Sequence, residues 1–139
     1  MITDDQKNQI IEVVKNLPVE VLYLFGSQAT NTANSLSDFD FAVIFSENID
    51  KHARFKHILH LISDFSEILQ KKTDVLDLSE VPIRFQYEAL KPRMDIYVKN
   101  KFIRDNFEND VLRNYYDQMY YLKKVTSDYL HYFASIWPN

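Results

Sequence analysis

Residues 23–45, YLFGSQATNTANSLSDFDFAVIF, decide the fold and indicate the chemistry of this chain. Two apolar runs flank a polar segment, which predicts two β-strands joined by a turn and a loop. Gly26 is the only glycine in the sequence. A glycine used once favours a tight turn or a close approach of backbone to a ligand. Ten residues separate Ser27 from Asp38, which begins an Asp-Phe-Asp triplet. A phosphate-sized turn followed by paired carboxylates indicates metal-assisted chemistry on a nucleotide.

The composition is that of an ordinary globular protein of 139 residues, with 46% hydrophobic residues, 26% charged residues and a net charge of −4. This length predicts a single domain over residues 1–139. The negative charge argues against non-specific nucleic-acid binding, so we expect no direct contact with nucleic acid. The absence of cysteine excludes thiolate zinc sites and fits a reducing compartment. The start of the sequence has no signal-peptide pattern, and no apolar segment approaches ~18 residues, so we expect a cytoplasmic protein with no membrane contact.

Apolar periodicity predicts strands and helices that alternate along the chain. The predicted strands are residues 19–25, 39–45, 73–78 and, as a short edge strand, 94–98. The predicted helices are residues 4–17, 51–71, 82–90 and 101–136, with one or two further helical turns in 27–34. Thr3 and Gln6 have the spacing of a capping box at the first helix. The alternation predicts an α/β fold with helices packed on a sheet, in which ligands usually lie beyond the strand ends.

Strand geometry predicts that Asp38 and Asp40 project to the same face of the sheet, because side chains alternate along a strand. Two unpaired carboxylates in line repel each other, and Mg²⁺ relieves that repulsion through carboxylate, phosphate and water oxygens. Two solvated aspartates at the start of a strand are the simpler interpretation. Asp74 and Asp77 on the third strand are candidates for a third carboxylate. They are three residues apart and point to opposite faces, so at most one can join the pair. For Asp77 we expect an ordinary role as a solvated or capping residue.

The turn at Gly26 and Ser27 ends one strand and opens the polar segment. Backbone N–H groups there, together with the Ser27 hydroxyl, are suited to bind phosphate oxygens. The alternative is that Gly26 serves only to make the turn.

Taken together, LFGSQATNTANSLSDFDFAVIF resembles the Gly-Ser-x10-Asp-x-Asp signature of the polymerase-β-like nucleotidyltransferases. More narrowly, the chain is similar to the minimal nucleotidyltransferases, antitoxins encoded beside HEPN-domain toxins. TDVLDLSEVPIRFQYEALKPRMDIYV resembles their third strand, helix and edge strand, and RDNFENDVLRNYYDQMYYLKK their C-terminal helix. The resemblance implies an α/β (α+β) fold with a mixed sheet of about four strands, flanked by helices, and a long C-terminal helix.

The resemblance also implies an activity and a site. Asp38 and Asp40 would bind two Mg²⁺ ions that hold ATP, and Asp74 would bind one of them and help to deprotonate the acceptor. Gly26 and Ser27 would hold the triphosphate. The acceptor would be a tyrosine of a partner HEPN ribonuclease, which is silenced when AMP is attached to it.

The sequence departs from the family after the Gly-Ser pair. Many members carry Arg-Ala-Arg-Gly there, whereas this chain has Gln28-Ala29-Thr30-Asn31. The cation that helps to hold phosphate is therefore not identified by the motif. Lys71, Lys72 and Arg84 are candidates by their position in the sequence, with a solvated surface role as the alternative for each.

Other interpretations compete with this one. Arg54 and His60 have the spacing of a HEPN ribonuclease motif, and His57 and His60 lie one helical turn apart, where surface histidines are more common than metal ligands. The last predicted helix is rich in aromatic residues, which either cover the sheet or form a docking face. They are Tyr115, Tyr116, Tyr120, Tyr121, Tyr129, Tyr132, Phe133 and Trp137. An antitoxin that only binds and blocks its toxin is the second function class. A small-molecule nucleotidyltransferase is the third, although such enzymes usually carry an additional domain.

Overall fold

The sheet has four strands in the order β3-β2-β1-β4 in a computed structural model that describes residues 2–26, 38–91 and 93–136. The strands are β1 (Val19–Phe25), β2 (Phe39–Phe45), β3 (Thr73–Asp77) and β4 (Arg93–Val98). Strand β1 pairs antiparallel with both β2 and β4, while β2 and β3 are parallel. The prediction of a mixed four-stranded sheet with the fourth strand at an edge is confirmed.

Four helices flank this sheet: α1 (Asp4–Val14), α2 (Lys51–Leu69), α3 (Ile83–Leu90) and α4 (Lys101–Ile136). Helix α1 begins with the predicted capping box, since the Thr3 and Gln6 side chains each accept a hydrogen bond from the other residue's backbone N–H. Helix α1 ends three residues before its predicted end. Helix α2 ends two residues early because Gln70 adopts a left-handed conformation with φ 54° and caps it. The polar turns predicted within 27–34 lie outside the described residues.

Two hydrophobic cores lie on opposite faces of the sheet. The first is formed by α1, α2 and the Phe39, Phe41, Val43 and Phe45 face of β2, with the Phe41 and Phe65 rings 4.9 Å apart. The second is formed with α3 and α4 and includes Ala42, Ile44, Val21, Tyr23 and Val111. The alternation predicted for β2 is therefore confirmed. The face that carries Ala42 and Ile44 is also the face on which Asp40 lies.

Helix α4 is much longer than the sheet it crosses. Its 36 residues correspond to a rod of about 54 Å at 1.5 Å per residue. The first part packs on the second core through Phe107 and Val111, whereas every described residue from Tyr121 onward is exposed. The interpretation that the aromatic residues of this helix mostly cover the sheet is wrong, because the helix has passed the end of the sheet before most of them occur. Trp137 lies outside the described residues.

No helix in the described part of the chain combines the length and apolar character that crossing a membrane requires.

Candidate active site

The three predicted carboxylates lie on one face of the sheet at one end of it. In the register of the parallel pair, Asp40 is the partner of Asp74, and on its other side Asp40 is the partner of Phe25. Neighbouring strands are about 4.8 Å apart, so residues paired in this way have adjacent side chains. Asp38 immediately precedes β2 and is exposed, Asp74 is exposed, and Asp40 is half-buried between them. The structure therefore brings together Asp38, Asp40 and Asp74.

The electrostatics of Asp40 reflect this crowding. Burial raises the pKa of the Asp40 carboxyl above its ordinary value, and the negative charges of Asp74 and Asp38 raise it further. The ammonium of Lys72 acts in the opposite direction and lowers it. The surroundings of Asp40 thus disfavour its charged form, and a bound cation would stabilise that form.

Gly26 lies directly against this carboxylate. Its φ is +76°, in the region that residues with a Cβ rarely adopt. A Cβ built at this position would lie 3.3 Å from Asp40 Oδ2. Glycine therefore permits the backbone conformation of the turn and leaves room for the Asp40 carboxylate. The other predicted phosphate-binding residue, Ser27, lies outside the described residues, as does the segment 28–31.

The donor set suits magnesium, although the side chains do not converge on a single point. Among residues 2–26, 38–91 and 93–136, no three His, Cys, Asp or Glu side chains are close enough together to hold a metal ion. Mg²⁺ uses one or two carboxylates and completes its shell with water and phosphate oxygens, so a closed protein cage is not required. The opposed charge of Asp40 also fits a divalent cation. Asp38, Asp40 and Asp74 are the residues that would hold it.

Asp77 has a structural role on the opposite face. Its Oδ2 lies 3.0 Å from Nε of Arg54 on α2, and its Oδ1 accepts hydrogen bonds from the backbone and hydroxyl of Ser79. The side chains of Arg54 and Asp77 are only 19% and 10% exposed. The prediction of a capping residue is correct, whereas a solvated Asp77 is not, because Arg54 covers it.

The same ion pair accounts for Arg54. Its guanidinium binds Asp77 and also Glu80, so it is held against β3 and the short 3-10 turn Leu78–Glu80. His60, its predicted partner in a ribonuclease motif, is exposed on α2. His57 lies beside the Phe45 ring, with 6.1 Å between ring centroids. Arg54 is thus explained by the packing of α2 on the sheet, without a ribonuclease site.

A partly buried polar network that the sequence did not reveal lies at the edge of the site. Arg93 is the partner of Phe25 in the register of β1 and β4. Its guanidinium donates to Leu90 O at 2.8 Å and to Asp95 at 3.2 Å, and forms an ion pair with Glu108 at 2.9 Å. Tyr23, fully buried, donates its hydroxyl to the same Glu108 oxygen at 2.8 Å. Burial, followed by the Glu108 contact, raises the pKa of Tyr23.

This network ties β1, β4, α3 and α4 together below the carboxylates. Because its contacts occupy all three guanidinium nitrogens, Arg93 is fixed in the scaffold. The only sequence signal was a tyrosine in the middle of a strand otherwise typical of a core. Its partner Glu108 is 85 residues away, and no local pattern links the two.

The family described as "Polymerase beta, Nucleotidyltransferase" matches residues 8–102, more than half of the chain. The chain therefore belongs to this family.

A curated relative matches part of the chain. The protein adenylyltransferase MntA of Shewanella oneidensis is 32% identical over 74 residues, which are 52% of this chain and 50% of MntA. The match thus spans about half the length of that curated relative. This chain is homologous to MntA in the matched part, as the resemblance predicted.

Solved structures agree over most of the chain. A toxin–antitoxin crystal structure with AMP-PNP superposes with a TM-score of 0.71 at 20% identity, covering 89% of this chain and 98% of that one. A complex of tri-AMPylated Shewanella oneidensis HEPN toxin with its MNT antitoxin gives a TM-score of 0.68 at 18% identity, covering 93% and 99%. At these identities the likeness establishes the fold, and it confirms the predicted nucleotidyltransferase architecture with a long C-terminal helix.

Proposed function

We propose that this chain is an antitoxin that transfers AMP from ATP to a tyrosine of a HEPN-family ribonuclease toxin. The observation that carries the proposal is the row formed by Asp40 and Asp74 across β2 and β3, with Asp38 on the same face and Gly26 against Asp40. The homologue MntA is named a protein adenylyltransferase, and a structural relative is a complex with an AMPylated toxin. Both support the assignment of the acceptor as a protein.

In this reaction the tyrosine oxygen forms a bond to the α-phosphorus of ATP, and the bond from that phosphorus to the bridging oxygen breaks. Diphosphate leaves, and the phenolic proton passes to Asp74 and then to water. Mg²⁺, when bound, would neutralise the charges of the triphosphate and of diphosphate as it departs. Asp38 and Asp40 would hold the metal, while the turn at Gly26 and Ser27 would hold the triphosphate through backbone N–H groups and the serine hydroxyl. The contribution of the chain is mainly to position the reactants.

The test is to incubate the full chain with Mg-ATP and the toxin encoded beside it, and to weigh the toxin by intact-mass spectrometry. We expect the mass to rise in multiples of an AMP unit. The double variant Asp38→Asn, Asp40→Asn should abolish the gain, while Asp64→Asn, on α2 at the opposite face of the sheet, should leave it intact. An unmodified toxin after reaction with the wild-type chain would contradict the proposal.

A second candidate function, neutralisation by binding alone, is favoured by the exposed part of α4. Val111 and Tyr115 contact the rest of the fold. Residues at the same heptad spacing continue this stripe along α4, where they are exposed. We call this continuation the α4 seam: Leu122, Val125, Tyr129, Tyr132 and Ile136. Their exposed fractions are 45–63%. Exposed apolar stripes with tyrosines are typical of protein interfaces.

We propose that the α4 seam binds the HEPN toxin, whether or not catalysis follows. The double variant Val125→Lys, Tyr129→Lys places charge on the seam, and we expect it to lose toxin binding in size-exclusion chromatography. The double variant Ser127→Lys, His131→Lys adds the same number of lysines at the same spacing on the other side of the helix and should bind as the wild type does. Binding-only neutralisation predicts that the Asp38→Asn, Asp40→Asn chain still blocks the ribonuclease at equimolar amounts. If the Asp38→Asn, Asp40→Asn chain fails to block the ribonuclease, and the wild-type chain blocks it only in the presence of ATP, catalysis is required.

A further inference from the structure

The structure separates the three cations that the sequence left as candidates for binding phosphate. Lys71 lies with its Nζ 5.9 Å from the centroid of the Phe39 ring. Phe39 belongs to the core on the α1 and α2 side of the sheet, opposite to the carboxylates. Arg84 is exposed on α3, a helix that packs mainly against α4. Neither residue is placed beside Asp40.

Lys72 is placed differently. Its carbonyl oxygen accepts a hydrogen bond from the backbone N–H of Phe39 at 3.1 Å, which holds Lys72 at the start of β3 beside the start of β2. Lys72 immediately precedes β3 and lies two residues before Asp74, and extending the alternation of β3 by one residue places both side chains on the carboxylate face. The side chain is exposed. Its positive charge acts on Asp40, where it lowers a pKa that burial and the other aspartates raise.

The ammonium of Lys72 also forms no ion pair with a described residue. Within the described ranges of the chain, no carboxylate oxygen lies within 4.0 Å of its Nζ, unlike the guanidinium nitrogens of Arg54, Arg93 and Arg104. A Lys ammonium is a compact charge on a flexible stem, with three donors that suit phosphate oxygens. Lys72 is thus a cation beside the carboxylates whose ammonium, among the described residues, is free to bind an incoming anion.

We propose that Lys72 binds the β- and γ-phosphate oxygens of ATP and so positions the triphosphate over Asp38, Asp40 and Asp74. The inference rests on the proposed nucleotidyl transfer. Carboxylates and a triphosphate share the same sign of charge, and their repulsion must be offset for both to occupy one small site. Lys72 offsets it from the β3 side, whereas the turn at Gly26 lies on the β1 side.

The competing explanation is that Lys72 serves only as a countercharge for the aspartates. The two roles differ in one effect that can be measured at saturating Mg²⁺. If Lys72 is only a countercharge, its removal leaves a more negative site that binds Mg²⁺ more tightly, so the affinity for nucleotide changes little once Mg²⁺ is saturating. If Lys72 binds phosphate, its removal weakens binding of nucleoside triphosphate even where Mg²⁺ is saturating.

The experiment is isothermal titration calorimetry of the full chain with AMP-PNP and with AMP, both at saturating Mg²⁺. The variants are Lys72→Ala, Lys72→Arg and, as the matched control from the opposite face, Lys71→Ala. We expect Lys72→Ala to weaken AMP-PNP binding about tenfold or more, the size expected for the loss of a charged hydrogen bond. AMP, which lacks the β- and γ-phosphates, should bind Lys72→Ala and the wild type equally. Lys72→Arg should restore most of the affinity, and Lys71→Ala should match the wild type.

The outcomes distinguish this inference from the function on which it rests. If the wild-type chain binds AMP-PNP and Lys72→Ala binds it within about twofold of Lys71→Ala, the role of Lys72 is wrong and the proposed function stands. An equal loss of AMP and AMP-PNP affinity in Lys72→Ala would also overturn the phosphate role. If the wild-type chain binds neither nucleotide, both proposals fail.

Discussion

A Cβ on Gly26 would lie 3.3 Å from Oδ2 of Asp40, so the single glycine of this chain lies directly beside the half-buried aspartate of the site. The contact joins the end of β1 to the start of β2, across the antiparallel pair in which Phe25 and Asp40 are partners. The turn and the carboxylate therefore depend on each other, and a change in either should affect both.

Gly26→Ala should be destabilising and should also impair nucleotidyl transfer. A residue with a Cβ at φ +76° costs roughly 1–2 kcal/mol, and the added methyl group would require the Asp40 carboxylate to shift by a few tenths of an ångström. Urea unfolding and the toxin-mass assay measure the two effects. A variant with wild-type stability and activity would show that the turn relaxes freely and that the contact has no consequence.

Gln70→Gly is the corresponding test at a second residue with a left-handed backbone conformation. Gln70 has φ 54° at the C-terminus of α2, where glycine is commonly found. Relief of the strain is offset by the greater entropy of glycine in the unfolded chain, about 0.4–1 kcal/mol. We therefore expect the free energy of unfolding to be unchanged or to rise by up to about 1 kcal/mol. A clear loss of stability by urea unfolding would show that the Gln70 side chain, which donates to Glu67 O, matters more than its backbone.

Asp40→Asn should be inactive yet more stable than the wild type at neutral pH. The pKa of Asp40 is raised above its ordinary value of 3.8, so the folded chain retains a proton there that the unfolded chain has already lost. In that range the stability falls as pH rises, and the deficit persists above the folded pKa. Asparagine removes this dependence. Thermal unfolding from pH 4 to pH 8 should show the curve of Asp40→Asn rising above that of the wild type as pH increases.

The matching measurement is the effect of Mg²⁺ on the same curves. Because a cation that binds the folded state stabilises it, Mg²⁺ should raise the melting temperature of the wild-type chain at pH 8 more than that of Asp40→Asn. Parallel curves with equal responses to Mg²⁺ would contradict the assignment of Asp40 to the metal.

Arg54→Ala should destabilise the fold without a specific effect on nucleotide binding. The substitution leaves Asp77, which is only 10% exposed, without its cation, and such a loss costs about 1–3 kcal/mol. Arg84→Ala, at an exposed position of α3, should change the stability by no more than about 0.5 kcal/mol. Urea unfolding and AMP-PNP titration of both variants test this. A loss of ribonuclease activity in Arg54→Ala, in place of a loss of stability, would revive the interpretation that the sequence motif suggested.

Several features could be predicted because they depend on neighbours in the sequence. The exact bounds of β1 and β2 follow from apolar runs that end at Gly26 and begin after Asp38. The capping box at Thr3 and Gln6 is a contact between residues three apart. The shared face of Asp38 and Asp40 follows from the period of two in an extended strand. In each case the interacting groups are fixed by local backbone geometry alone.

Other features depended on how distant segments meet. Strand alternation showed that Asp74 and Asp77 point to opposite faces, and the choice of Asp74 rested on the family resemblance alone. In the structure the position of Asp74 beside Asp40 follows from the parallel register of β2 and β3, which pairs residues 34 positions apart. The choice of Lys72 over Lys71 has the same origin. The exposure of the α4 seam depends on how far the sheet extends beneath the helix, which no property of the helix itself encodes.

The sequence by itself determined the order of strands and helices, the glycine turn and the pair of carboxylates on one strand face. These features depend on local backbone geometry, in which side-chain directions repeat every 3.6 residues in a helix and every two residues in a strand. Only the tertiary structure placed Gly26 beside Asp40, paired Asp74 with Asp40 in the sheet register and gave Arg93 and Tyr23 a shared partner in Glu108. These are contacts between strands and helices far apart in the chain. Their geometry is set by sheet register and by the burial of two cores, which are properties of the folded whole.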